Sequence, residues 1–222
     1  MGTGIFEEIE KIIENEKIEG NQKKEISSLI KNVGEKAKIV LSKKRFEHSC
    51  RVAKTAFDLC KIHGEVAWKA LLCGLSHDFC KEIPEDKMRS LALLDGRGES
   101  AAEQKKTSLL HGRAAAVCLS RDFGIVDFEI LDAVAFHTLG KKGLCNLGKI
   151  IFVADKIEPG RPQSTEEYRS RLFSLPLNEL TLSVLEENIE YLLSKGKKAA
   201  AESLEWATDL RETQSKKTGG TK

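Results

Sequence analysis

The sequence lacks a strong charge of either sign. Lys and Arg number 36 against 34 Asp and Glu, a formal net charge of +2. That balance gives no electrostatic case for nucleic acid or a membrane surface as the main partner. No apolar run is long enough to span a bilayer. The N-terminus is acidic and amphipathic, unlike a secretory signal. The six cysteines (Cys50, Cys60, Cys73, Cys80, Cys118 and Cys145) contain no CxxC pair. Their spacing argues against a zinc–thiolate site. Most lie in apolar helical stretches, where a thiol is a small hydrophobe. Disulfides are not expected, and the reading is a reducing cytoplasm. Strand-like alternation, internal repeats and a clear domain linker are missing as well.

Helical periodicity is what the chain has throughout. At 222 residues it is long enough for one domain with a substantial core. Residues 5–18 carry Ile5, Phe6, Ile9, Ile12 and Ile13 on one face, and Gly20–Asn21 breaks that helix. A second helix over 23–41 has its own apolar stripe. The two either pack on the main domain or pair two copies of the chain, and core packing is the simpler role. Ser42 reads as the N-cap of a helix to about Ile62, ended by His63–Gly64. Further helices are expected over 65–79, 85–94, 113–123, 127–137 (Asp127 as N-cap), 147–157, 166–175, 177–195 and 199–211. Residues 95–107 read as a flexible loop, either an ordinary insertion or a lid. The polar residues 212–222 read as a disordered tail. The expected architecture is all-α: a helical extension over 1–41, one helical domain over 42–211, and the tail.

Four of the five histidines and two aspartates fall near helix ends or on inner helix faces. In order they are His48, His77–Asp78, His111, His137 and Asp155. Taken singly, an inward histidine is more often a hydrogen-bonded core residue than a ligand, and Asp155 could pair with an arginine. A carboxylate on so apolar a helix is costly unless it is paired or metal-bound. As a set, the six point to metal ions. His63, at a helix C-terminus, reads as structural.

The segments 45–49, 77–81, 110–112, 136–138 and 154–161 together resemble the YqeK family of HD-domain phosphohydrolases. The likeness covers roughly 42–206, and 154–161 (Ala-Asp-Lys-Ile-Glu-Pro-Gly-Arg) is the most discriminating part. The resemblance implies an HD-domain helical bundle that cleaves diadenosine tetraphosphate to two ADP. It implies metal ligation by His48, His77, Asp78 and Asp155. His111 and His137 match the subset that binds a second ion, in which Asp78 bridges the two. Iron or manganese suits such mixed imidazole and carboxylate ligands. Metal lowers the pKa of water towards neutrality and steadies an in-line displacement at an inner phosphorus. Asp78 and Lys81 are the catalytic candidates. Arg45, Lys81 and Arg161 are candidate phosphate contacts, and His111 and His137 bind phosphate directly if only one ion is present.

The chain departs from the family pattern at Ser76 and Cys80, at Arg113 where proline is common, in the 95–107 segment and in the N-terminal helix. None removes a ligand, and the 95–107 segment and Arg113 bear on substrate preference. Two other readings stand beside the first. One is a phosphatase or phosphodiesterase acting on another nucleotide. The other is a non-catalytic sensor that binds metal and nucleotide.

Overall fold

The computed structural model describes residues 2–15 and 20–218. Among these there are twelve α-helices and no strand. The first two, α1 (Gly2–Asn15) and α2 (Gly20–Val40), lie against α3 (Lys43–His63) and α4 (Ala67–Ser76). Ile9, Ile13, Ile30, Val33 and Ala37 are buried there, so the apolar stripes of α1 and α2 join the main core. The end expected for the first helix, at 18, lies outside the described residues. The second helix starts at Gly20, three residues earlier than expected.

Ser42 caps α3 as expected, accepting from the Arg45 amide. Glu82 in turn receives the Ser42 amide at 2.7 Å and its hydroxyl at 2.8 Å, which ties the start of α3 to the segment after α4. Helices α3 and α4 approach closely because Gly74 faces Ala53: a Cβ at Gly74 would lie 2.3 Å from the Ala53 Cα. The chain continues through α5 (Glu85–Ala92), the short α6 (Ala101–Lys105) and α7 (His111–Phe123) to α8 (Phe128–Ala135). Asp127 caps α8 through the Glu129 amide. Then come α9 (Asn146–Ile157), α10 (Glu166–Phe173), α11 (Leu177–Ser194) and α12 (Ala201–Thr218). Buried α9 lies at the centre, in contact with α3, α4, α8 and α11. The fully buried Trp206 anchors α12, meeting Phe152 edge-on at 4.9 Å between ring centroids.

The structure corrects four local expectations. First, α12 runs on to Thr218, so the polar stretch from 212 is helical over its described part. Second, α4 and α8 stop at Ser76 and Ala135, leaving His77 and His137 just beyond a helix end rather than on its inner face. Third, α7 begins at His111, two residues early, because a 3-10 turn over Thr107–Leu110 leads straight into it. Fourth, the 95–107 segment is not a flexible loop. A 3-10 turn (Leu93–Asp95) and α6, whose Ser100 and Glu103 form a capping box, give it local structure. Buried Arg113 fastens it further. Its guanidinium donates to both Asp95 oxygens, to Glu103, and to the carbonyls of Arg97 and Gly98. All five N–H groups of that side chain are used, the full capacity of a guanidinium.

Candidate metal centre

The C-terminal ends of α4, α8 and α9 meet the start of α7 and the first half of α3. Their sequence-predicted residues converge there around Asp78, which is 2% exposed. Asp78 Oδ2 lies 3.5 Å from His77 Nε2 and 3.8 Å from His48 Nε2. Asp78 Oδ1 lies 3.1 Å from His111 Nε2 and 3.8 Å from His137 Nε2. One carboxylate therefore offers one oxygen to each of two histidine pairs. His48, His77 and Asp78 form one group able to hold a metal ion, and Asp78, His111 and His137 form another. Asp155, from the last turn of α9, stands 3.1 Å from His48 Nε2 and 3.9 Å from His77 Nε2. His63 belongs to neither group.

Local backbone chemistry aims the rings. The last carbonyls of a helix have no amide partner within it. His77 Nδ1 meets the Gly74 carbonyl at 2.7 Å, and His137 Nδ1 meets that of Val134 at 2.7 Å. His111 Nδ1 meets the Ser108 carbonyl at the same distance. A carbonyl only accepts, so each Nδ1 carries the proton and each Nε2 presents a lone pair. In each case the partner is three residues back, so one device sets three rings. His48 lies within α3 and uses a side chain instead, with Glu158 at 3.1 Å from its Nδ1. Glu158 is held by Arg51 Nε and by the Gly160 amide. Gly112 brings the start of α7 against the end of α8: a Cβ there would lie 2.8 Å from the Val134 carbonyl. His111 and His137 become neighbours as a result.

This donor set fits a metal cation. Nε2 of His48 and of His77 are buried without a hydrogen-bond partner. His111 Nε2 and His137 Nε2 face each other at 3.0 Å. Two ring lone pairs so close repel unless a cation lies between them. Each ring is also braced through its far nitrogen, the arrangement that orients metal-bound imidazoles.

The charges reinforce the fit. Burial alone would raise the Asp78 carboxyl, but its histidine neighbours, His77 first and then His111 and His137, hold it well below the usual range. Asp155 is likewise lowered against its burial, chiefly by Lys156 and His48. Burial lowers His77, and burial with the neighbouring His111 and His77 puts His137 well below the ordinary value, so both favour the neutral ring. For His48 burial acts the same way, but the Asp155 and Glu158 carboxylates outweigh it and raise its pKa. Burial also opposes ionisation of Glu158, and its bonds to His48 and Arg51 bring it down to about 2.

Four cations line the centre. Arg45 Nη1 donates to Asp78 Oδ2 at 2.9 Å. Lys81 Nζ is 3.3 Å from His111 Nε2, and burial lowers its pKa. Arg161 Nη2 donates to Asp155 Oδ1 at 2.6 Å, with its Nε on the Asp155 carbonyl at 2.8 Å. Lys156 Nζ donates to Asp155 Oδ2 and to the His137 carbonyl, both at 3.0 Å. All nine predicted site residues thus gather in one place. Sequence reasoning assigned no role to Glu158, Arg51, Lys156 or Thr138, whose Oγ1 lies 3.2 Å from His137 Nε2. Arg51 carries a readable signal, since it sits one turn after His48 on α3. Lys156 does too, as the residue after Asp155.

Comparison with known proteins identifies the family. A model of the HD domain family matches residues 45–160, just over half of the chain. A relative from Staphylococcus aureus, named a symmetrical bis(5'-nucleosyl)-tetraphosphatase, is 38% identical over 125 residues. That match covers 56% of this chain and 64% of the relative, just under two thirds of its length. A relative of the same name from Halalkalibacterium halodurans is 34% identical over 70% of this chain and 82% of its own. A crystal structure from Clostridium acetobutylicum, described as a predicted HD superfamily hydrolase involved in NAD metabolism, superposes with a TM-score of 0.76. It is 30% identical and covers 82% of this chain and 97% of that one.

Proposed function

This chain belongs to the HD domain family, and from that membership we propose that it hydrolyses diadenosine tetraphosphate symmetrically to two ADP. The observation that carries the reading is the pair of facing lone pairs on His111 and His137 beside a carboxylate that also meets His48 and His77. A sensor has no physical need for so complete a donor set. The names of the curated relatives supply the substrate.

In this reading His48, His77, Asp78 and Asp155 hold one ion, and Asp78, His111 and His137 hold a second. Iron suits the mixed imidazole and carboxylate donors, with manganese as the alternative. The chemistry such ions supply is a lowered pKa for water and neutralisation of phosphoryl charge. The protein side chains position the substrate. Asp78 keeps both halves of the site in register through its two oxygens. Glu158 and Arg51 fix the His48 ring. Arg45, Lys81, Lys156 and Arg161 exchange carboxylate and imidazole contacts for oxygens of the polyphosphate, which charge-assisted bonds favour. Arg161 suits a bidentate clamp. ADP leaves as a stabilised anion, so a strong general acid is not required.

We place the protein in the cytoplasm, with all six cysteines as free thiols. No helix among the described residues is long and apolar enough to cross a membrane. The test is product analysis on iron- and manganese-loaded protein given diadenosine tetraphosphate. ADP alone is expected. ATP plus AMP would sink the symmetric assignment, and no turnover with either metal would favour a sensor.

A further inference from the structure

Beside the metal centre lies a cavity of about 370 Å3, a size that accepts small molecules. Its walls come from two places. One is the 97–103 segment, held down by Arg113. The other is the 136–141 segment, which leads on from His137. Thr138 lines it, and the same hydroxyl stands 3.2 Å from His137 Nε2 and 3.4 Å from His111 Nε2, so cavity and metal centre adjoin. Leu109 and Phe136 supply apolar wall. The Arg97 guanidinium lies over the Phe136 ring at 4.6 Å and is held by both its Nε and Nη2 on Asp95. Glu202 reaches the cavity from α12.

We propose that this cavity takes one nucleoside end of the substrate, a proposal that rests on the polyphosphate reading above. A fixed guanidinium is a platform on which a base stacks. A carboxylate is a common acceptor for ribose hydroxyls. The apolar wall covers the remainder of the base. The phosphates then pass Thr138 to reach the cation-lined centre. Arg113, itself among the lining residues, sets the wall by spending its five N–H groups on Asp95, Glu103 and two carbonyls.

Gly98 gives the test. It lines the cavity, and a Cβ there meets nothing within 4 Å. Gly98→Trp should therefore plug the cavity without disturbing the fold, and Gly98→Ala should leave it open. The probes are ADP and inorganic tripolyphosphate, titrated onto manganese-loaded protein. The plugged variant should lose about tenfold or more in ADP affinity and change less than about twofold for tripolyphosphate. It should also raise the KM for diadenosine tetraphosphate, with the circular dichroism of wild type retained. ADP binding unchanged in Gly98→Trp, equal loss of both probes, or no ADP binding by wild type would overturn the proposal. An inactive wild type would sink the catalytic reading alone, because ADP binding and its loss are read without turnover.

Discussion

Glu158 holds the Nδ1 edge of His48 at 3.1 Å, while the opposite edge of the ring faces Asp155. The carboxylate is only 2% exposed, so its charge acts on the groups packed against it, His48, Arg51 and the Gly160 amide. It fixes the tautomer and aim of a proposed ligand without reaching the ion. Glu158→Gln should weaken metal binding about 10- to 100-fold, the range for partners that brace a ligating imidazole. Metal titration with a competing chelator reads this directly. Affinity unchanged within twofold would remove Glu158 from the site.

Gly74 and Ala53 set the distance between the helix that carries His48 and the helix that delivers His77. A methyl group at 74 would overlap the Ala53 backbone rather than a side chain that can turn aside. Gly74→Ala should cost about 3 kcal/mol or more, the upper part of the overpacking range. Thermal unfolding measures it. A melting temperature equal to wild type would show that α3 and α4 can slide apart freely.

Acid should loosen the 95–103 wall before it unfolds the core. Burial works to raise the Asp95 carboxyl, and the hydrogen bonds from Arg113 and Arg97 overcome it and bring it to about 2, below the ordinary 3.8. A carboxyl depressed on folding stabilises the protein above its unfolded pKa. That contribution fades as pH falls through the interval from about 4 to 2. Solvent screening keeps it to about 1 kcal/mol. The stability gap between wild type and Asp95→Asn should therefore be present near neutrality and close across that interval in urea titrations. A gap that does not change with pH would contradict the pairing.

Much of the fold was legible because its signals are local. The Ser42 and Asp127 caps and the apolar run of α9 each depend on a few neighbouring residues. The exact ends of α4 and α8 were not legible. A histidine whose ring N–H satisfies the carbonyl three residues back ends a helix without glycine or proline, and periodicity carries the helix through it. The 95–107 segment was misread for a different reason. Its glycines and charges look mobile, but Arg113 collects them through contacts 10 to 18 residues away in sequence. Glu158 looked like part of a helix terminus, since its partner His48 lies 110 residues earlier. The six proposed ligands stood out because imidazoles and carboxylates on apolar helices are costly without a common partner.

Asp78 is proposed to serve two ions at once, one with His48, His77 and Asp155 and one with His111 and His137. Metal content of purified, reconstituted protein decides whether it does. Wild type should carry two ions per chain, His137→Ala one, and Asp78→Ala neither tightly, with helical circular dichroism retained in all three. One ion per chain in both wild type and His137→Ala would contradict the account.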